Sequence, residues 1–171
     1  MAATQEALYG RLDLSLSWSE AELPERVRTK RVHRLHPYLG KFVPQLVRAL
    51  LERYVAAFEA YDLDRLTDLL REDTVMSMPP YSLWVQGRDD VFSFFYGPGI
   101  GCKGSRVLPA GTANGSPAYG QYKPAAGGGY EPWALQVVEL RKGKVGEITF
   151  FLDTDRVFPL FGLPPRLEAA A

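Results

Sequence analysis

Residues 51–80 constrain the fold of this chain more than any other part of the sequence. Their first half repeats apolar residues at three- and four-residue steps, which predicts an amphipathic helix with one buried face. Asp62 and Asp64 are candidate N-caps for a second, leucine-rich helix that is expected to end at residues 71–73. The alternating segment 74–78 then predicts a strand. Two short helices are therefore expected to cover one core and to lead into a sheet.

The rest of the chain consists mostly of strand-like segments separated by turns. Residues 82–87 predict a short strand, and residues 88–96 predict a third helix with an acidic first turn. Longer strands are predicted at residues 105–112, 118–123, 133–141 and 145–153. A tight turn at residues 142–144 joins the last two, and the glycine-rich segment 124–129 is expected to be a hairpin tip. Helices followed by a meander of strands predict an α+β domain.

Several segments resemble a known superfamily. RYVAAFEAYDLDRLTDLLREDTVMSMPP, at residues 53–80, resembles the opening of the SnoaL-like branch of NTF2-like proteins, which includes ketosteroid isomerases, polyketide cyclases and limonene epoxide hydrolases. MPPYSLWVQGRDDVFSFF, ALQVVELRKGKVGEITFFLD and FPLFGLPPRL look like the SnoaL-like domain at the C-terminus of certain extracytoplasmic-function sigma factors. The resemblance covers residues 46–167 and leaves residues 1–45 as an extension. It implies an NTF2-like cone, in which three N-terminal helices pack on a curved, mainly antiparallel sheet around a pocket, without a cofactor.

The resemblance to ketosteroid isomerases can be carried to single residues. Those enzymes hold an oxyanion with a tyrosine and a protonated aspartic acid, and move a proton with a second aspartate. The matching positions here are Tyr54, Gln136 and, in place of the proton-shuttling aspartate, Met78. Because a thioether cannot accept a proton at neutral pH, isomerisation by that mechanism is not expected.

The positions that match the catalytic residues of epoxide hydrolases also carry other residues here. Phe150 stands where those enzymes have an acid, and Thr149 stands where they have an arginine. Asp153 follows at the strand end and is, with Tyr54, a candidate catalytic residue. It would serve as a general base near the pocket mouth, or only as an exposed or capping carboxylate in the turn that begins there.

The residues expected around the pocket are mostly apolar, aromatic or sulfur-containing, which suits a small hydrophobic ligand with one or two polar atoms. They are Tyr54, Met76, Met78, Trp84, Phe92, Phe95, Tyr119, Gln136 and Phe150. The same spacing also fits a packed core without a cavity. The sequence thus favours a ligand-binding, regulatory domain. An isomerase, cyclase or epoxide hydrolase that acts on a hydrophobic, natural-product-like substrate remains the alternative.

Length, charge and composition argue against membrane, secreted, disulfide-bonded and metal-binding proteins. The chain has 171 residues, a formal net charge of zero, no apolar run long enough to span a membrane and no signal-peptide pattern, so a cytoplasmic protein is expected. A single cysteine, Cys102, excludes an internal disulfide, and His33 and His36 without further ligands make a metal site improbable.

Partners are expected on one surface above all. The strand at residues 133–141 is largely apolar on both faces, with Ala134, Gln136 and Val138 on one side and Trp133, Leu135, Val137 and Glu139 on the other. Helices on one face and a second copy on the other would explain this pattern, so a homodimer is expected.

The two ends of the chain carry further predictions. The C-terminal segment, residues 158–167, is too apolar to stay in water, and its prolines argue against a regular helix. It is expected to pack back over the helices or a neighbouring subunit. Near the N-terminus, residues 8–18 predict an edge strand. The stretch that begins at Arg26 and ends at Lys41 has six basic residues and no acid, and is the one candidate for nucleic-acid contact. The segment TKRVHRLHPYLGKFVPQLV, residues 29–47, also resembles a short stretch near the start of some DNA methyltransferases, but methyltransferase activity is not expected.

Overall fold

Two helices begin the described part of the chain, as the leucine spacing predicts. The computed structural model describes residues 44–169. Helix α1 spans Pro44–Ala60 and helix α2 spans Leu63–Leu69. The Asp62 carboxylate accepts a hydrogen bond from a backbone amide in the first turn of α2 and so acts as its N-cap. Helix α3, Arg88–Tyr96, has the bounds that the sequence predicts.

The described residues from Leu50 onward belong to one compact unit, the second of the chain. The sheet and the residues of interest below belong to the second unit. The edge strand predicted at residues 8–18 and the basic stretch from Arg26 to Lys41 lie outside the described residues.

Six strands form one sheet. They are β1 (Leu70–Ser77), β2 (Trp84–Gln86), β3 (Arg106–Ala113), β4 (Ser116–Pro124), β5 (Tyr130–Arg141) and β6 (Lys144–Phe151). Their order in the sheet is β2-β1-β6-β5-β4-β3, and every pair is antiparallel except β1 with β6. The predicted α+β architecture, with helices on a mainly antiparallel sheet, is confirmed.

The structure departs from the predicted elements most clearly at the end of α2 and after the sheet. Helix α2 ends at Leu69, before residues 71–73, because Leu70 already pairs with Val145 of β6. The strand hydrogen bonds thus replace those of the helix. The chain after the sheet contains helix α4, Thr154–Leu160, although Pro159 lies within it. A proline is tolerated there because the helix ends one residue later, so little of the helical hydrogen bonding is lost.

The sheet separates two apolar clusters. The inner cluster lies between the helices and the sheet and includes Ala134 and Val138 of β5. The outer cluster includes Leu135 of β5, so the predicted alternation of this strand is confirmed. We call the side of the sheet that carries Leu135 the outer face.

The C-terminal segment packs back on the outer face. Phe158 places its ring 5.2 Å from that of Tyr122, and the Tyr122 hydroxyl donates a hydrogen bond of 2.8 Å to the Pro164 carbonyl. Leu163 lies so close to Gly120 that a Cβ atom at this glycine would be 2.7 Å from the leucine side chain. The expected packing of this segment is therefore confirmed, but its support is the sheet and not the helices. None of the helices in residues 44–169 has the length and apolarity to cross a bilayer.

Candidate functional site

Strand register brings three predicted site residues into one row on the inner face. Tyr119 of β4 is paired with Gln136 of β5, and Gln136 is paired with Phe150 of β6. Two residues along β4, Gln121 is paired with Ala134. Because alanine has a short side chain, the two glutamine side chains have room to meet diagonally across the strands.

A chain of hydrogen bonds runs through this row. The Tyr54 hydroxyl of α1 donates to Gln136 Oε1 at 2.8 Å, and Gln136 Nε2 donates to Gln121 Oε1 at 3.0 Å. Gln121 Nε2 then donates to Ser105 Oγ at 2.9 Å. The four residues, which we call the polar chain, are at most 1% exposed. A buried amide or hydroxyl without a partner would cost about 1–3 kcal/mol, so each of these groups depends on the next one.

Aromatic rings surround the Tyr54 end of the polar chain. The Tyr54 ring centroid lies 6.0 Å from that of Phe58 and 6.3 Å from that of Tyr119. Phe58 in turn contacts Phe95 edge to face at 5.8 Å and lies 6.3 Å from Phe150. The polar chain is therefore set in an apolar, aromatic interior.

Burial keeps the ionisable groups of this interior neutral. It raises the pKa of the Tyr54 hydroxyl far above the ordinary tyrosine value, and nearby Tyr119 and Cys102 raise it further. Burial also raises the pKa of the Cys102 thiol, although the Gln121 amide and the Lys123 ammonium oppose this effect. At neutral pH the site consequently offers hydrogen-bond donors and acceptors and no charge.

The structure brings most of the predicted ligand-binding residues together. Those buried in or beside the inner cluster are Tyr54, Met76, Phe95, Tyr119, Gln136 and Phe150. Met78 is half-buried and packs against this cluster. Trp84 is 59% exposed on β2 at the edge of the sheet, and half-buried Phe92 stacks on the exposed Tyr96. Trp84 and Phe92 are therefore not among the residues that meet in the interior.

Asp153 does not reach the polar chain. Its side chain is exposed, and its carboxylate lies 3.5 Å from Arg156 Nε. Its backbone carbonyl accepts hydrogen bonds from the first turn of α4. The structure thus places Asp153 at the N-cap position of α4 with an exposed carboxylate that makes no capping hydrogen bond, away from the other candidate catalytic residue, Tyr54.

Sequence reasoning missed two members of the polar chain, Gln121 and Ser105. Strand alternation could have identified Gln121, because it lies two residues after Tyr119 and so shares its face. Ser105 lies just before β3, where periodicity gives no direction, so only its tertiary contact reveals it.

The comparisons with known proteins agree with this fold. Residues 46–97 match the model of the nuclear transport factor 2 (NTF2) domain. The chain has an NTF2-like fold. It is 40% identical over 124 residues to the ECF RNA polymerase sigma factor SigG of Mycobacterium tuberculosis, which confirms the resemblance to extracytoplasmic-function sigma factors. The match covers 69% of this chain and 32% of SigG, so the chain spans about a third of the length of that relative.

A shorter match concerns a different class of protein. A type II methyltransferase, M.MjaII of Methanocaldococcus jannaschii, is 50% identical over 46 residues. These residues make up 26% of this chain and 9% of the methyltransferase.

Solved structures show the same fold at low identity. A candidate ketosteroid isomerase from Kribbella flavida is 21% identical with a TM-score of 0.51, and the match covers 63% of this chain and 78% of that protein. A Mycobacterium tuberculosis protein in complex with estradiol-17beta-hemisuccinate is 14% identical with a TM-score of 0.50, over 64% of this chain and 95% of that protein. These likenesses establish the NTF2-like fold of the domain.

Proposed function

We propose that the NTF2-like domain binds a small hydrophobic ligand whose polar atom lies at Tyr54 and Gln136. The observation that carries this proposal is the polar chain, fully buried within aromatic rings. Such an interior combines a large apolar contact surface with a few oriented polar groups, which is the usual composition of a small-molecule site.

The chemistry of the interior favours binding over proton transfer. The polar chain consists of a phenol, two amides and a hydroxyl, and burial raises the pKa of the Tyr54 phenol further from neutrality. A general base works best with a pKa near the operating pH, which these groups do not have. Half-buried Met78 stands where the resemblance places a proton-shuttling aspartate, and a thioether cannot take that role.

Half-buried side chains border the interior and mark where a ligand would enter. A shell of half-buried apolar side chains packs against the inner cluster, and Leu51, Val55, Met78, Leu83 and Leu152 belong to it. Half-buried side chains change rotamer more easily than core residues, and methionine adapts to many shapes. We propose that a ligand displaces part of this shell to reach Tyr54.

The comparisons support a regulatory version of the same proposal. SigG is a sigma factor, and part of its length is 40% identical to this chain. A protein of the same fold was solved with estradiol-17beta-hemisuccinate, a flat apolar molecule with polar ends. We propose that this domain has a regulatory role, in which it binds the ligand without converting it chemically.

Calorimetry with a matched pair of variants tests the proposal. The probe is estradiol-17beta-hemisuccinate, titrated into wild type, Tyr54→Phe and Tyr122→Phe. Both substitutions remove one buried hydroxyl with one hydrogen bond, but Tyr122 lies on the outer face. Tyr54→Phe should weaken binding about fivefold, the effect of one neutral hydrogen bond of about 1 kcal/mol, and Tyr122→Phe should leave it unchanged.

Two results would contradict this function. The first is the absence of saturable binding for this steroid and for smaller aromatic probes. The second is conversion of an enone steroid or an epoxide, followed by mass spectrometry, at a rate that Tyr54→Phe does not alter. Such conversion would favour the isomerase, cyclase or epoxide hydrolase class instead.

We also propose that the domain pairs with a second copy through the uncovered part of the outer face. Trp84 and Phe151 are exposed there, at 59% and 37%, beside the region that the C-terminal segment covers. The C-terminal segment already covers part of the apolar outer face of β5. The proposal of a second copy therefore rests on the part of that face that stays exposed.

A further inference from the structure

The hydrogen bonds of the polar chain all run in one direction. From Tyr54 to Gln136, from Gln136 to Gln121 and from Gln121 to Ser105, the donor always lies on the Tyr54 side. An amide has a donor end and an acceptor end, so the orientation of one glutamine fixes that of the next. The three hydrogen bonds therefore share one direction, and they can reverse only together.

The far end of the chain supports this direction. Gln121 Nε2 lies 2.9 Å from Ser105 Oγ, and the Gln121 amide also interacts with the Cys102 thiol. The Ser105 backbone amide donates to the Cys102 carbonyl at 3.1 Å, which holds these two residues together. With this orientation the Gln121 NH2 group donates to the serine oxygen, and the Ser105 hydroxyl hydrogen is left for another acceptor.

This direction determines which hydrogen-bonding sites the Tyr54 hydroxyl can offer to a ligand. The hydrogen of the Tyr54 hydroxyl is already engaged with Gln136 Oε1, so the free sites of its oxygen are lone pairs. Burial also keeps this phenol protonated, since it raises the pKa. An incoming group thus meets a hydrogen-bond acceptor. A carbonyl could accept a hydrogen bond from Tyr54 only if Tyr54 left Gln136, and a buried amide oxygen would then lose its partner.

We infer that the ligand presents a hydroxyl group, which donates a hydrogen bond to the Tyr54 oxygen, rather than a carbonyl that accepts one. The inference rests on the proposed function and narrows the ligand to apolar alcohols and phenols. An oxyanion-binding site requires the opposite arrangement, in which the hydrogens point at the ligand.

Three probes with the same bicyclic ring test the inference at neutral pH. 2-Naphthol can donate a hydrogen bond, whereas 2-methoxynaphthalene and 2-acetylnaphthalene can only accept one. Their dissociation constants are measured by calorimetry with wild type, Tyr54→Phe and the control Tyr122→Phe. We expect wild type to bind 2-naphthol about fivefold more tightly than either acceptor probe. The preference should be lost in Tyr54→Phe and kept in Tyr122→Phe.

The outcomes separate the two claims. If 2-acetylnaphthalene binds wild type as tightly as 2-naphthol or more tightly, the inference is wrong and the proposed ligand site stands. If the preference persists in Tyr54→Phe, the hydroxyl is recognised elsewhere and the inference is also wrong. If none of the three probes binds, the inference fails, and the proposed function fails with it when estradiol-17beta-hemisuccinate does not bind either. The comparison among probes uses wild type alone, so it does not depend on the stability of a variant.

Discussion

Gln136 is the residue on which the interior hydrogen bonding depends most. It accepts from Tyr54 and donates to Gln121, so it satisfies two other buried groups in addition to itself. Its position between Tyr119 and Phe150 in the sheet holds the amide in line with both partners. Removing this amide therefore affects more than one hydrogen bond.

We expect Gln136→Leu to lower the free energy of unfolding by about 2–4 kcal/mol, because the Tyr54 hydroxyl and the Gln121 amide each lose a partner. Urea denaturation at neutral pH measures this loss. Ser77→Ala is the control, since Ser77 makes only a longer contact of 3.3 Å with Thr149 outside the interior. In a double-mutant cycle with Gln121→Leu, the double variant should lose less stability than the sum of the two single losses. The reason is that either change alone already breaks the hydrogen bond between the two amides. Additive losses would show that the two amides act independently.

Tyrosine burial predicts how stability changes at high pH. Burial raises the pKa of Tyr61 and of Tyr122 to about 12, compared with about 10 in an unfolded chain. The folded state thus favours the neutral phenols. Their contribution to stability is complete below pH 10 and is lost as the pH rises from 10 to 12.

The free energy of unfolding should therefore fall over this window, and the fall should be shallower in Tyr122→Phe than in wild type. Urea denaturation at a series of pH values measures both slopes. Below pH 9 the two proteins should have parallel profiles. Equal slopes above pH 10 would mean that the Tyr122 hydroxyl ionises as readily in the folded protein as in the unfolded chain.

At the scale of the elements, the C-terminal segment acts as part of the fold. Phe158 and Leu163 are buried against the outer face, and Leu167 exchanges two backbone hydrogen bonds with Tyr130 of β5. A segment that is irregular over much of its length is thus fixed by side-chain burial and by a short strand-like pairing.

Truncation after Asp155 should lower the free energy of unfolding by about 3–6 kcal/mol, the value expected for two large buried side chains. Chemical denaturation measures the loss. An unchanged unfolding midpoint would show that the segment does not stabilise the domain.

Two leucines of the segment provide a finer test. Leu163→Ala should cost about 2–5 kcal/mol because this side chain is buried, whereas Leu160→Ala should stay within about 0.5 kcal/mol because Leu160 is 80% exposed. Equal effects of the two substitutions would contradict the packing of Leu163 on Gly120.

At the scale of the whole molecule, the exposed part of the outer face decides the proposed assembly. We expect light scattering to return a dimer mass at micromolar concentration. Trp84→Ser combined with Phe151→Ser should shift the mass to a monomer by removing apolar contact area. The control is Tyr96→Ser, which removes an aromatic ring that is more exposed, at 73%, from α3. A monomeric wild type, or a dimer that survives the double substitution, would contradict this interface.

The sequence by itself determined most of the elements and the side of the sheet on which the residues of β5 lie. Helix α3 has the predicted bounds, and β5 alternates as its residues predict, because helix and strand periodicity are local properties of the chain. The resemblance also pointed to Tyr54 and Gln136 as neighbours, and the two are hydrogen-bonded.

The tertiary structure alone decided which groups complete the site and what covers the outer face. The partners of Gln136 come from strands distant in the sequence, and Ser105 joins them only because β3 and β4 pair in this register. Helix α2 likewise ends where β1 meets β6, and Trp84 is exposed because β2 is an edge strand. Register, strand order and hydrogen-bond direction depend on contacts between distant segments, and local periodicity carries no information about such contacts.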